Sequence, residues 1–236
     1  MSRTPTLLHV VQARAGSRRL PGKVLSDIGG WSMLAFVVAR AQAAGGGDVV
    51  VATTTSPADD AVADVAAVLG VGVCRGPSED VLARFALAAQ WRSDVRWIAR
   101  WTADNPFADA ASPSRLLASM PPAADYAMEE GLPVGAAVEV MSRRALLEAH
   151  EHASSPYDRE HVTPWLERLD PSRQYRPDAP PPLCAPDLRL TVDTPADLQA
   201  MRQIASALTT SGVDPRAASL VRVLACARAL AAEDVA

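Results

Sequence analysis

Long apolar runs are scarce in this chain. The longest candidate, the alanine-rich segment 217–232, carries Arg222 and Arg228, which disqualifies it as a membrane span. Near the N-terminus the apolar stretch is too short for a signal-peptide core and no small-residue cleavage site follows, so export is not expected. Cysteine is equally sparse: Cys74, Cys184 and Cys226 lie far apart and form no metal-spaced pair. They read as reduced thiols of a cytoplasmic protein. Positive charge is not in excess, with 23 Lys and Arg against 27 Asp and Glu, a net charge of −4 and a pI of about 5.6. That balance argues against DNA or RNA as a partner. Repeats, low-complexity tails and convincing linkers are also missing. The 236 residues, 49% hydrophobic and 21% charged, therefore predict one globular domain, 1–236, with interior enough for a full sheet covered by helices.

Against that acidic background one stretch is strongly basic. The apolar run Leu7-Leu8-His9-Val10 breaks at Val11-Gln12-Ala13 into a loop with Arg14, Gly16, Ser17, Arg18, Arg19, Pro21, Gly22 and Lys23. A buried strand feeding glycines and four cations suits a polyanion: glycine lets backbone N–H groups turn toward phosphate oxygens, and the cations neutralise their charge. The loop is not a P-loop, because Val24 follows Gly22-Lys23. Nor is it a dinucleotide fingerprint, because Pro21 interrupts and only Gly16 and Gly22 remain. An exposed basic turn without a ligand is the bland alternative.

Apolar periodicity then alternates between helix and strand. Trp31–Ala44 reads as a helix stopped by Gly45-Gly46-Gly47, Asp48–Ala52 as a strand, and Ser56-Pro57-Ala58-Asp59 as a capped helix start. Val71–Cys74 is a strand, Ser78–Gln90 a helix and Val95–Arg100 a strand. Such alternation predicts a largely parallel sheet between helices, with ligands outside the strands' carboxyl ends. Beyond Pro106 the expectations are a short helix from Ser112, strands at Asp125–Ala127 and Val134–Met141, a helix through Ala145, Leu146 and Ala149, and another from Ser155 to about Leu169. Pro177–Pro186 is a connector, and Leu188–Val192 a strand closed by the cap Thr194-Pro195-Ala196-Asp197.

Two acids stand at predicted strand ends. Asp104, in Ala103-Asp104-Asn105-Pro106, lies where a hard cation such as Mg²⁺ would need an oxygen ligand, although an Asx-turn before Pro106 is the plainer account. Asp193 precedes a helix cap and is assigned to chemistry, whereas Asp197 occupies the capping-box position and is assigned to structure. No Ser-His-Asp ordering suggests a covalent route.

The loop Gln12-Ala13-Arg14-Ala15-Gly16-Ser17-Arg18-Arg19-Leu20-Pro21-Gly22-Lys23 resembles the signature of nucleotide-sugar pyrophosphorylases and cytidylyltransferases. Ala103-Asp104-Asn105-Pro106 and Val192-Asp193-Thr194-Pro195-Ala196-Asp197-Leu198 resemble that family's two metal motifs. Arg75-Gly76-Pro77-Ser78-Glu79-Asp80-Val81-Leu82-Ala83-Arg84 and Arg159-Glu160-His161 resemble segments of its spore-coat-polysaccharide type. The chain is thus similar, from about Leu8 to Ile204, to cytidylyltransferases of the acylneuraminate and CMP-KDO synthetase kind. This likeness implies a Rossmann-like three-layer α/β/α sandwich with a mixed, mostly parallel central sheet, paired as a homodimer through a less regular segment at about 131–186. It implies CTP as the nucleotide, Mg²⁺ on Asp104 and Asp193, catalysis by Arg14, Lys23, Asp104 and Asp193, and release of pyrophosphate. Gln12, Ala13, Arg14, Gly16, Ser17, Arg19 and Lys23 would wrap the triphosphate, while Arg75, Gly76 and Asp80 would border base and ribose. For that last group, helix capping by Ser78 with Glu79 and Asp80 at the positive helix end is an equal account.

The resemblance implies a small-molecule acceptor, a sugar acid, sugar phosphate or phosphonate, and the implied acceptor residues are Ala137, Glu139, Arg159 and His161. Arg159 and His161 also fit a plain helix-surface pair. Gly135-Ala136-Ala137-Val138-Glu139-Val140 departs from the family's Gly-Leu-Asp-Val-Glu-Val at Ala137, so an acceptor smaller or more anionic than a nine-carbon sugar acid is expected. A metal-dependent glycosyltransferase would want an Asp-x-Asp pair, which Asp104-Asn105-Pro106 does not supply; a non-catalytic nucleotide-binding protein would tolerate loss of Asp104 and Asp193, and both are present.

Overall fold

The computed structural model describes residues 7–17 and 19–233. Its strands are β1 (Leu7–Gln12), β2 (Asp27–Ile28), β3 (Trp31–Ser32), β4 (Gly47–Thr54), β5 (Gly72–Gly76), β6 (Trp97–Thr102), β7 (Tyr126–Ala127), β8 (Glu139–Ser142) and β9 (Gln174–Tyr175). The helices are α1 (Met33–Ala44), α2 (Asp60–Val68), α3 (Val81–Trp91), α4 (Ser112–Ser119), α5 (Arg143–His152), α6 (Pro156–His161), α7 (Pro195–Thr210) and α8 (Leu220–Glu233). Seven strands form one sheet in the order β5-β4-β1-β6-β8-β7-β9. The four β5, β4, β1 and β6 run parallel, and β8 is antiparallel to both of its neighbours.

β1 sits in the middle because both of its faces are apolar. Leu7 and Val11 enter a core with Leu34, Val37 and Val38 of α1 and Val62 and Ala66 of α2. Leu8 and Val10 point the other way, onto Leu82 and Phe85 of α3 and Leu146 of α5. Covering both faces with helices gives the three-layer sandwich, and it is why the parallel strands read as unbroken apolar runs. A third cluster packs α7 and α8, through Met201, Ile204, Leu208 and Val223, against Ile28, Met33, Phe36 and Phe107. α1 is buried on two sides as a result.

Several boundaries differ from the sequence expectation for local reasons. Trp31 and Ser32 pair with β2 as a ribbon, so α1 starts at Met33, with the Ser32 hydroxyl accepting from the Ala35 N–H. Asp80, rather than Ser78, caps α3 by accepting from the Ala83 N–H at 2.8 Å. The helix predicted to run from Ser155 to about Leu169 stops at His161, where Val162 takes φ 72; Pro164 two residues on disfavours helical backbone at Thr163. The strand predicted over Val134–Met141 is confined to Glu139–Ser142.

The most consequential difference is at Leu188–Val192, which is extended but outside the sheet, with one bridge between Arg189 and Val134. The Val134 N–H donates to Leu188 O and the Leu190 N–H to Val134 O, each within 2.9 Å, while the Val192 N–H turns to Asp104 O at 2.8 Å. Gly135, at φ +89, permits this approach, since a Cβ there would come within 3.0 Å of the Thr191 backbone N. No helix among the described residues is long and apolar enough to cross a membrane.

His9 is fully buried between the layers. Its Nε2 donates to Gly45 O at 2.8 Å and its Nδ1 accepts from the Trp101 indole at 3.0 Å, which requires the neutral ring. Burial lowers its pKa below the ordinary 6.5, outweighing the contact with Gly45. The unfolded chain takes up a proton below pH 6.5 that the native ring refuses, so this contribution to stability is present above 6.5 and lost as pH falls. The expected slope from His9 is at most ~1.4 kcal/mol per pH unit. Denaturant titrations of wild type and His9→Gln between pH 7 and pH 5 check this: the difference between the two should shrink as pH falls.

Candidate active site

The parallel strands deliver their carboxyl ends to one edge of the sheet. There the Ala13 N–H donates to Ala52 O and the Ala103 N–H to Gln12 O, tying the exits of β1, β4 and β6 together. The basic loop is then anchored from an unforeseen side. Asp59, 3% exposed, accepts from the Ala15 N–H through Oδ1 at 2.6 Å and from the Thr54 hydroxyl through Oδ2. In sequence Asp59 looks like an ordinary acid in a helix's first turn. The loop closes where the Gly22 N–H reaches back to Ala15 O at 2.9 Å, with Gly22 at φ 71. That left-handed backbone favours glycine. Arg18, one of the four loop cations, lies outside the described residues.

The loop delivers Lys23 to the centre of a cleft of ≈ 480 Å³. Its ammonium, on a residue only 8% exposed, donates to Asp104 Oδ2 at 2.7 Å, Val192 O at 2.6 Å and Asp193 Oδ1 at 3.3 Å. The two acids, remote in sequence, thus share one cation. Asp104 spends its side chain on Lys23, so the Asx-turn account does not describe it. Asp193 also accepts from Arg19 at 2.7 Å and from Arg189. Asp197 completes a capping box with Thr194. It does more than cap: its Oδ2 also accepts from the Asp193 N–H at 2.9 Å, holding the peptide that carries the neighbouring acid.

Arg14, at the cleft wall, reaches Ser78 O and Glu79 at 3.3 and 3.5 Å and Glu160 at 3.8 Å. Beneath it Arg84 is 2% exposed, donates to Pro77 O and Ser78 O, and keeps a buried Nε without a hydrogen-bond partner among the described residues. Burial, reinforced by the nearby Arg14 charge, pulls the Arg84 pKa down to about 10. Arg100 lines the cleft and is held by Gln12 Oε1 at 3.2 Å and by an ion pair to Glu139. Burial alone would raise the Glu139 carboxyl. The Arg100 charge and hydrogen bonds from Tyr126 and Thr163 outweigh it and hold the group below the ordinary glutamate value.

Gln12, Ala13, Arg14, Gly16, Ser17, Arg19, Lys23, Asp104, His161 and Asp193 all border this cleft. Other residues singled out in the sequence lie elsewhere. Arg75 donates to Thr54 O and Ser56 O and pairs with Asp60, bracing the exit of β4. Gly76 packs against Arg84 and Leu87. Asp80 caps α3 and pairs with Arg159 at 3.3 Å, and Arg159 also donates to His150 O, so the two motifs fasten α6 to α3. Glu139 sits behind Arg100, and Ala137 packs against the third apolar cluster. Arg84 and Glu160 lie inside family-like motifs of the sequence without having been named as site residues themselves, whereas Arg100 and Asp59 read only as parts of a strand and a helix start. Those motifs were the signal for Arg84 and Glu160, and a charge within an apolar strand was the signal for Arg100.

The profile of a protein family described as Cytidylyltransferase matches residues 8–209. The chain belongs to the cytidylyltransferase family. It is accordingly a nucleotidyltransferase, and the match spans every cleft residue from Gln12 to Asp193. This cytidylyltransferase is 31% identical over 207 residues to the spore coat polysaccharide biosynthesis protein SpsF of Bacillus subtilis strain 168, covering 84% of this chain and 85% of that protein. A cytidylyltransferase structure from Leptospira borgpetersenii serovar Hardjo-bovis shares the fold with a TM-score of 0.83 at 23% identity, over 96% of this chain and 95% of that one. CMP:2-keto-3-deoxy-manno-octonic acid synthetase, solved with CTP, shares it with a TM-score of 0.62 at 21% identity, over 88% and 100%.

The different surroundings of Lys23 and Arg14 predict different phenotypes. Lys23→Ala takes the cation from Asp104 and one of three from Asp193, which keeps Arg19 and Arg189, and should lower both turnover, by more than about tenfold, and the melting temperature. Arg14→Ala removes only long, half-exposed pairs and should lower turnover while leaving the melting temperature within the range of a surface ion-pair change. Steady-state kinetics and calorimetry on both variants check this; an Arg14→Ala enzyme with wild-type kinetics would remove Arg14 from the site.

Proposed function

We propose that this cytidylyltransferase transfers the cytidylyl group of CTP to an oxygen of a small anionic acceptor, a sugar acid, sugar phosphate or phosphonate, and releases pyrophosphate. In this reaction the acceptor oxygen bonds to the α-phosphorus as the bond between the α-phosphorus and the bridging oxygen breaks. The observation that carries the reading is the meeting of Lys23 with Asp104 and Asp193 inside a cleft that Arg14 and Arg19 also line. CTP is favoured by membership of the family and by the fold shared with a synthetase solved with CTP.

Asp104 and Asp193 would hold Mg²⁺, which supplies neutralisation of the triphosphate charge. The donor set fits: hard carboxylate oxygens suit Mg²⁺, an ion that characteristically takes one or two carboxylates and completes its shell with phosphate oxygens and water. Lys23 stabilises charge on the leaving pyrophosphate, Arg14 and Arg19 offer guanidinium forks to its oxygens, and positioning by the rigid strand ends does the rest. Arg100 at the cleft surface supports an anionic acceptor; Ala137, which packs against the third apolar cluster outside the cleft lining, does not bear on the acceptor's size.

Pyrophosphate release, measured with each nucleoside triphosphate across a panel of sugar acids, sugar phosphates and phosphonates, tests this reading. The expected result is preference for CTP and for an anionic acceptor, with activity abolished by excess chelator and restored by Mg²⁺ or Mn²⁺. Full activity in chelator would eliminate the metal, and preference for another triphosphate would eliminate CTP.

A further inference from the structure

Asp193 has an unusual set of partners for a carboxylate that must take a cation. Its Oδ1 accepts from Arg19 at 2.7 Å and from Lys23 at 3.3 Å, both of which line the cleft. Its Oδ2 is held by the Arg189 guanidinium, whose side chain is outside the cleft lining and 46% exposed. Arg189 lies between two acids, since its Nε is 3.6 Å from Asp197 Oδ1. The other oxygen of Asp197 is engaged by the backbone of Asp193 and Thr194, which fixes Asp197 in place whether or not Arg189 touches it.

We propose that Arg189 is the counter-charge that a divalent cation displaces from Asp193, with Asp197 as the carboxylate that keeps the displaced guanidinium, so that Arg189 sets the cation concentration at which the site fills. The inference rests on the metal role proposed for Asp193. Three cations facing three carboxylates, Lys23, Arg19 and Arg189 against Asp104, Asp193 and Asp197, leave the ligand-free cluster balanced. A divalent ion entering at Asp193 adds two positive charges at close range, and like charges at that distance repel. Lys23 and Arg19 face the cleft, where an arriving triphosphate meets them. Arg189 lies outside the cleft lining and has the second acid within reach, so it alone of the three keeps a carboxylate partner outside the cleft when it leaves Asp193. Its role is therefore that of a positioning residue acting through Asp193.

Mn²⁺ alone, titrated into the full-length protein and followed by the electron paramagnetic resonance of the free ion, reads the effect without turnover. Arg189→Gln should bind Mn²⁺ about threefold or more tightly than wild type, the scale of a half-exposed ion pair, and Arg216→Gln, which removes an equal charge from the Asp214 pair, should not change it. Asp197→Asn should weaken Mn²⁺ binding in the wild type but much less in the Arg189→Gln background, because the guanidinium it serves is gone; the double-mutant cycle isolates that coupling. Asp193→Asn should abolish the site. If Asp193→Asn loses Mn²⁺ while Arg189→Gln binds it equally or more weakly, the Arg189 inference is overturned and the metal reading stands. If Asp193→Asn binds Mn²⁺ as wild type does, the metal reading falls and this inference with it.

Discussion

The ammonium of Lys23 is almost removed from solvent, and a charge in that position is tolerated only when partners replace its water. Three oxygens do so, from Asp104, Val192 and Asp193. Asp104 follows β6, while Val192 and Asp193 are consecutive residues before α7, so one cation fastens the loop after β1, the exit of β6 and the approach to α7. The arrangement is asymmetric in energy. An intact buried pair contributes little net stability, whereas deleting one member leaves the others desolvated and unmatched. The same asymmetry makes the cluster responsive, because a polyanion or a cation entering the cleft changes which partner each charge prefers.

The sheet's construction makes that meeting possible. β1 lies between β4 and β6, and backbone bonds from Ala13 to Ala52 and from Ala103 to Gln12 set the three strand ends level. Asp104 leaves one of those ends with its carbonyl held by the Val192 N–H. Asp193 follows immediately, oriented by the capping box of α7. A helix cap thus has two consequences here: it satisfies orphan N–H groups at the start of α7 and aims the acid before it.

Around this centre the cleft cations are matched by acids: Arg14 by Glu79 and Glu160, Arg19 by Asp193, and Arg100 by Glu139. The exposed pairs around Arg14 are long and weak, whereas the Arg100 pair is buried and reinforced by Tyr126. That gradient suits a nucleotidyltransferase of this family. Groups at the rim exchange partners readily, and groups on the floor keep their geometry through the exchange.

Local chemistry in the sequence was sufficient for the layered architecture. Apolar runs in β1, β4 and β6, the glycine stop after α1 and the Thr194-Asp197 box each reflect forces acting over a few residues, and each was legible. The basic loop, Asp104 and Asp193, which the structure brings together at Lys23, stood out too, because charge beside an apolar run has few structural uses. Tertiary structure alone decided which partners those groups chose. Leu188–Val192 has the composition of a strand, yet its hydrogen bonds go to Val134 and Asp104 and keep it out of the sheet. Asp80 and Arg159 read as site residues and bind each other, while Arg100 and Asp59 read as parts of a strand and a helix start and face the cleft or its loop. Periodicity reports which side of an element is apolar. It carries no information on which distant carbonyl or carboxylate a charged side chain will meet, since that depends on how elements remote in sequence pack together.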